Sequence, residues 1–492
     1  MEVVYLLDGW DGKQLRNLEV AIFELGLRIG LPFRIARSAT VVSTAERVVR
    51  YSANADEISD AYPHCVNLPC LIRHPEQRKR TYEISPNAFP HHELAFQDGI
   101  DLIADVCDLL AFEHEAELRE EHFDQLGRIK EGEHPLVRKR LAHVPLIEIA
   151  ADCLRELLAS SFETPLRAPR FWGEYDRVVI LTHDCDGPKL HSPFALARSG
   201  ILSIAKRNSI NASSFLVDQR SGERESFLLG LLTLLTGRPD PYWNFANWID
   251  FEKTLPATST FFFNPGSLDS ARSHRHDPRY RIESPRFRAA IDRVNEEGCE
   301  AGLHSGINVR SAGAYSESVH RLAEQTNTDV ISCRTHYWAY DWKNPYSAWE
   351  TMSSCGVRND ASLTVRQLGF RNGAGLPISA SARWDDLGSN QFLVFPTAMM
   401  DQYLVRVARS SVPLADNPDY DALLTWARQR NSLIVLDWHV RTFANVGIWK
   451  GYFDVFLEVL EDLSGGGIGI LSLAKAGELW RTHIESTYKG RL

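Results

Sequence analysis

The sequence predicts an α/β protein. Residues 176–492 form a parallel, barrel-like domain, preceded by a small α/β domain (1–95) and a helical region (96–165). Three observations predict it. From Val178 onward, short β-branched or aromatic runs alternate with helical spacings, the pattern of βα units. Several of those runs end in polar residues, which a parallel barrel would gather on one face. The chain opens as strand, helix, strand, without a Gly-rich phosphate loop, since Gly9 and Gly12 lack that spacing.

In chain order, residues 2–7 read as a first strand. Leu15, Leu18, Ala21, Ile22, Leu25 and Leu27 then follow near-helical spacing, which Gly30 ends. Phe33 to Ile35 starts a second strand, and Arg73 to Arg80 reads as a solvated loop. From Asp98 to Ser161 the pattern is helical, with Pro145 suited to the first turn of a helix over 146–158. Residues 163–172, with two prolines, link into the run Val178 to Leu181. Helices are expected over 200–208, 223–235, 285–297, 316–325, 345–354 and 455–463. Strands are expected over 258–264, 300–303, 329–332, 391–396 and 433–437, with a last one at 468–473 before a final helix.

Composition bounds the function. Hydrophobic residues at 44% supply an ordinary core, and a net charge of −10 argues against a nucleic-acid footprint. No apolar run is long enough to span a bilayer, and the N-terminus lacks the pattern of a secretory leader. The eight cysteines are scattered without a zinc spacing. A cytoplasmic protein with reduced thiols is expected, of open oligomeric state.

The chemistry concentrates at strand ends. Val178 to Leu181 runs into Thr182-His183-Asp184-Cys185-Asp186-Gly187-Pro188. Alternation places Asp184 and Asp186 on one side of an extended chain, where two carboxylates repel unless a cation or proton lies between them. Further polar ends are His304, Arg334 to Tyr337, and Asp437 to His439. Trp338, Tyr340, Trp342, Tyr346, Trp384 and Trp438 lie in or near these stretches, and such rings can stack on sugar faces.

At these stretches the sequence resembles the polysaccharide deacetylase (NodB-homology) family, over residues 176 to about 485. The likeness is closest to bacterial members with an extra N-terminal region. Thr182 to Asp186 is similar to the first motif, with one residue between the aspartates. Gly302-Leu303-His304-Ser305-Gly306-Ile307-Asn308 is similar to the second, normally His-Ser/Thr-x-x-His. Arg334-Thr335-His336-Tyr337 is similar to the third, an Arg followed by Pro and an aromatic. Trp349 with Cys355 to Ser362 is similar to a further segment, and Leu436-Asp437-Trp438-His439 to the last motif, with one extra residue before the His.

The resemblance implies a distorted (β/α) barrel of the NodB-homology type and a divalent metal, zinc foremost. It implies Asp184 as general base, Asp186 and His304 as metal ligands, and Arg334 as the holder of the base. It implies Tyr337 as the site of an oxyanion-stabilising N–H, Asp360 as a supporting aspartate and His439 as general acid. The family's second metal histidine falls on Asn308, a weaker ligand than imidazole. Three outcomes are open: Asn308 ligates through its oxygen, His336 supplies the missing imidazole, or the site is degenerate. The implied activity is removal of the N-acetyl group from an amino sugar or a nucleotide- or lipid-linked glycan precursor. The alternatives are hydrolysis of another non-peptide amide, or carbohydrate recognition without catalysis.

Overall fold

The computed structural model describes residues 2–43, 46–52, 64–68, 101–189, 214–266, 274, 276–278, 280–339, 341–380, 387–388, 390–410 and 412–491, the side chains of 214–224 excepted. The expected loop at 73–80, the expected helix at 200–208, Tyr340 and Trp384 lie outside them.

The first sheet contains β1 (Val3–Leu6), β2 (Phe33–Ala36), β3 (Arg47–Arg50), β4 (Cys65–Asn67) and β15 (Tyr488–Arg491), all parallel, in the order β15-β2-β1-β3-β4. The expected last strand at 468–473 is therefore not the last. The final helix, Leu473–Thr487, carries the chain back to this sheet. Tyr488 has no alternating apolar run around it, but its ring packs edge-on against Phe23, 4.9 Å between centroids.

The second sheet holds the site. Its strands are β5 (Arg177–Asp184), β6 (Thr260–Phe263), β7 (Glu300–Ser305), β8 (Ser332–Thr335), β9 (Asn359–Asp360), β10 (Ile378–Ser379), β11 (Leu393–Val394), β12 (Thr397–Met400), β13 (Leu433–Asp437) and β14 (Ile468–Leu471). They run β10-β11-β9-β8-β7-β6-β5-β13-β12, and β14 also pairs with β5. Every described pairing is parallel except β10 with β11. The result is a curled α/β half-barrel, open in its described pairings rather than a closed ring. All but the first residue of β5 are buried, as expected of a parallel strand covered on both faces.

Strand β8 starts three residues later than its hydrophobic run suggests, so Arg334 lies inside the strand rather than beyond it. Its guanidinium lies 4.8 Å over the Phe262 ring. Gly302 makes room for that ring, because a Cβ there would come within 2.7 Å of it.

The segments share one core. The first helix, Gly12–Ile29, buries Arg28, which donates to Glu148 (2.8 Å) and to the Pro377 carbonyl (3.1 Å) and pairs with Glu24. Glu24 accepts the Ser379 N–H at 2.7 Å. A buried ion pair is poorly compensated unless its remaining polar atoms are bonded, and here they reach the backbone of β10. No helix among the described residues is long and apolar enough to cross a membrane.

Candidate metal centre and active site

Parallel pairing brings the strand ends together. Asp184 ends β5 and Asp186 follows it; His304 lies on β7, Arg334 on β8, His336 just beyond it, and Asp437 and His439 at the end of β13. These are carboxyl ends of parallel strands, where such folds place their ligands.

Asp186, His304 and His336 form a compact group whose ligating atoms lie within 4.8 Å of one another. His304 Nδ1 donates to the Arg334 carbonyl at 2.9 Å, which fixes the proton on that nitrogen and leaves Nε2 with a lone pair. That Nε2 lies 3.3 Å from Asp186 Oδ1 and 3.6 Å from Asp184 Oδ2. His304 Nε2 and Asp186 Oδ1 are both buried and without a hydrogen-bond partner. A lone pair facing a carboxylate oxygen calls for a proton or a cation between them, and the donor set fits a divalent metal.

His336 is built in the same way. Its Nδ1 donates to Asp277 Oδ1 at 3.0 Å, and its Nε2 lies 3.1 Å from Asp186 Oδ2. Burial pulls this imidazole down, but Asp186 and Asp277 outweigh it and raise it to about 9. Burial pushes the Asp186 carboxyl up, yet His336 and His304 hold it well below the ordinary range. Asn308 is exposed and shares no hydrogen bond with the group.

The flanking groups differ in charge. Arg334, fully buried, donates from Nη1 to Asp184 Oδ1 (3.0 Å) and to Thr182 Oγ1 (2.7 Å), and pairs with Asp437 at 2.9 Å. Its Nε donates to the Ala361 carbonyl and its Nη2 to Thr397 Oγ1. Burial raises Asp184, but His304, Arg334 and His439 bring it below the usual value. Burial raises Asp437 to about 7 despite Arg334, and Asp184 adds to the rise. Two carboxyls sharing one guanidinium lose their protons in two steps that belong to the pair.

His439 Nδ1 donates to Asp401 Oδ2 at 2.9 Å, leaving Nε2 directed at the site, 3.7 Å from Asp186 Oδ2. Burial lowers this imidazole, but Asp401 prevails and holds it well above the ordinary value. A raised imidazole stabilises the fold fully below its unfolded pKa, and that contribution is lost as pH rises through the folded pKa. The same proton is the one an acid catalyst needs. Asp401→Asn is expected to move the alkaline limb of a pH–rate profile to lower pH; an unmoved limb would show that His439 does not carry it.

Asp360 lies apart from this group. It accepts from Trp349 Nε1 (3.1 Å) and Ser362 Oγ (2.5 Å), and Ser362 Oγ in turn accepts the Thr335 N–H. It thus braces the end of β8 rather than touching the centre. Tyr337 is 41% exposed at the rim, with left-handed backbone (φ 56°), its ring edge-on to His336 and its carbonyl bonded by Arg128. Trp338, Trp342 and Trp438 are buried, and the Tyr346 hydroxyl donates to the Leu110 carbonyl. These four rings are core, which corrects their reading as a sugar platform; among the described aromatics of these stretches, Tyr337 is exposed. His183 is also core, set between the Trp438 carbonyl and Glu252.

Sequence reasoning missed Asp277, Asp401 and the pairing role of Asp437. Asp401 follows β12, and the expected strand at 391–396 stopped short of that end. Asp277 lies among His274, His276 and Pro278, with no periodicity to mark it.

No family model matches this chain, and no curated protein does. Solved structures similar to it include a protein from Mycobacterium smegmatis described as a polysaccharide deacetylase, with TM-score 0.35 and 13% identity, covering 67% of this chain and 96% of that one. The polysaccharide deacetylase Bc1974 from Bacillus cereus has TM-score 0.27 and 11% identity, covering 60% and 91%. A 4-alpha-glucanotransferase from Thermococcus litoralis has TM-score 0.34 and 9% identity, covering 61% and 40%. Such low scores carry no chemistry. The site is read from its own side chains.

A second group, His114, Glu115 and His134, also brings ligating atoms together. Its Glu115 and His134 atoms are bonded to one another and to Arg371, while His114 Nδ1 is buried without a hydrogen-bond partner. His134 Nδ1 accepts the Leu136 N–H, so Nε2 bears the proton and donates to Glu115 at 3.0 Å. Arg371 holds Glu115 with two bonds, at 2.8 and 2.7 Å. No lone pair of His134 is left for a metal, and the group ties the helical region to the half-barrel.

Proposed function

We propose that this chain is a metal-dependent hydrolase that removes the N-acetyl group of an amino sugar or glycan precursor, on a barrel of the NodB-homology type. The observation that carries the reading is the facing pair of unpartnered atoms, His304 Nε2 and Asp186 Oδ1, between an arginine-held carboxylate and an aspartate-held imidazole.

Asp186, His304 and His336 would hold the cation, and two imidazoles with a carboxylate suit zinc. When bound, it would polarise the acetyl carbonyl. Asp184, kept ionised by Arg334, takes a proton from water, whose oxygen attacks the carbonyl carbon. The resemblance implies the backbone N–H at Tyr337 as the oxyanion donor. His439 gives its Nε2 proton to the departing nitrogen as the C–N bond breaks, leaving acetate and a free amine. A reducing, cytoplasmic setting goes with this reading.

The test is acetate release from N-acetylated sugars with added zinc or cobalt. Release that Asp184→Asn suppresses supports the reading. Release from no sugar, with metal bound, would contradict it and favour another amide substrate.

A further inference from the structure

Beside the metal group lies a cluster of cationic and N–H donors that the hydrolysis does not use. The loop after His439 carries Arg441, whose Nη1 donates to the Asp186 carbonyl and lies 4.0 Å from Asp186 Oδ2. Its guanidinium carbon lies 4.5 Å over the Trp449 ring. Trp449 packs edge-on to Tyr452, 5.1 Å between centroids, and Arg409 lies 5.5 Å over Tyr452. Arg409 also donates to the Lys450 carbonyl. Two arginines thus bracket one aromatic pair on the His439 side of the site.

Two further donors of the cluster lack acceptors. Arg441 Nε and Trp449 Nε1 are buried without a hydrogen-bond partner. Among the described residues, Arg409 and Lys450 have no carboxylate partner, and both are exposed. Asp454, on the helix Tyr452–Leu463, accepts from Asn445 rather than from either arginine. Arg441, over Trp449, has only a 4.0 Å pairing with Asp186, and Arg409, over Tyr452, has no carboxylate partner among the described residues, so each guanidinium keeps charge for an anion. The loop is held in place meanwhile: Gly451 N–H donates to Asn445 Oδ1 at 2.5 Å and Ile448 N–H to Ser226 Oγ at 3.2 Å.

We propose that Arg441, Arg409 and Trp449 form an anion subsite for the phosphate ester or diphosphate of the sugar substrate. Planar guanidinium forks match phosphate oxygens, and aromatic backing keeps them oriented. This rests on the deacetylase reading and narrows it: the substrate is an N-acetylamino sugar carried on phosphate rather than a neutral glycan. The donor set is the same for a nucleotide-linked and a lipid-linked sugar phosphate.

The experiment measures acetate release from N-acetylglucosamine, its 1-phosphate, a uridine-diphosphate-linked form and a polyprenyl-diphosphate-linked form. Binding of the 1-phosphate by equilibrium dialysis is measured in parallel. Wild-type zinc-loaded protein is compared with Arg441→Gln and Arg409→Gln. The expected result is a higher kcat/KM for phosphate-bearing sugars. The ratio of phosphorylated to free sugar should fall roughly tenfold or more in each variant, the scale of one charge-assisted hydrogen bond. Preference between the two diphosphates names the source. Equal rates on free and phosphorylated sugar, or an unchanged ratio in both variants, overturns the subsite while the deacetylase stands. Binding of the 1-phosphate that both variants lose, without acetate release, supports the subsite and contradicts the deacetylase. Neither binding nor release overturns both.

Discussion

Arg334→Met is expected to destabilise the fold by about 3–5 kcal/mol at neutral pH, the usual cost of breaking a buried ion pair by removing one partner. Arg334 and Asp437 are fully buried, and the Asp184 side chain is 7% exposed. The guanidinium binds two carboxyls, two hydroxyls and a carbonyl, and methionine can replace only its contact with Phe262. Its loss strands two acids against each other. Asp184 then loses a cation that lowers it, and Asp437, already at about 7, rises further. An acid raised in the folded state costs stability above its unfolded pKa, so the defect should shrink as pH falls from 7 towards 4. Urea unfolding at several pH values checks this. Adding Asp437→Asn to Arg334→Met should recover part of the loss at neutral pH. A defect that is the same at both ends of the pH range would show that packing, not charge, sets it.

Asp184→Asn is expected to lower kcat by about 10²–10⁴-fold, the range for loss of a general base. The amide keeps the shape and can still accept from Arg334, but it cannot take a proton. Folding and metal content should therefore hold while turnover falls. Metal content that falls together with kcat would reassign Asp184 from base to ligand.

Much of this was legible in the sequence, for reasons that can be named. Val178 to Leu181 is a continuous β-branched and aliphatic run, so β5 and its polar end follow from periodicity alone. His439 likewise follows a clear apolar run, and His304 lies near the end of the short β7. Asp401 was hidden because β12, Thr-Ala-Met-Met, is poor in β-branched residues and follows Pro396 directly. Asp277 could not be found from pattern, since a loop residue reaches its partner through tertiary packing. The different settings of Asn308 and His336 also needed three dimensions. Three residues past a strand leave the chain free to turn outward, and Asn308 is exposed, whereas His336 is directed inward by its bond to Asp277. The return of the chain to the first sheet as β15 carried no sequence signal, because Tyr-Lys-Gly-Arg has no alternation.

The central claim is that one cation joins three strand ends, and elemental analysis of the purified protein tests it most directly. The account predicts one zinc or comparable divalent ion per chain, lost in His304→Ala and in His336→Ala, and retained in Asn308→Ala. A wild-type chain that binds no divalent ion from zinc-supplemented buffer, or a His304→Ala chain that holds it as tightly, would contradict the account.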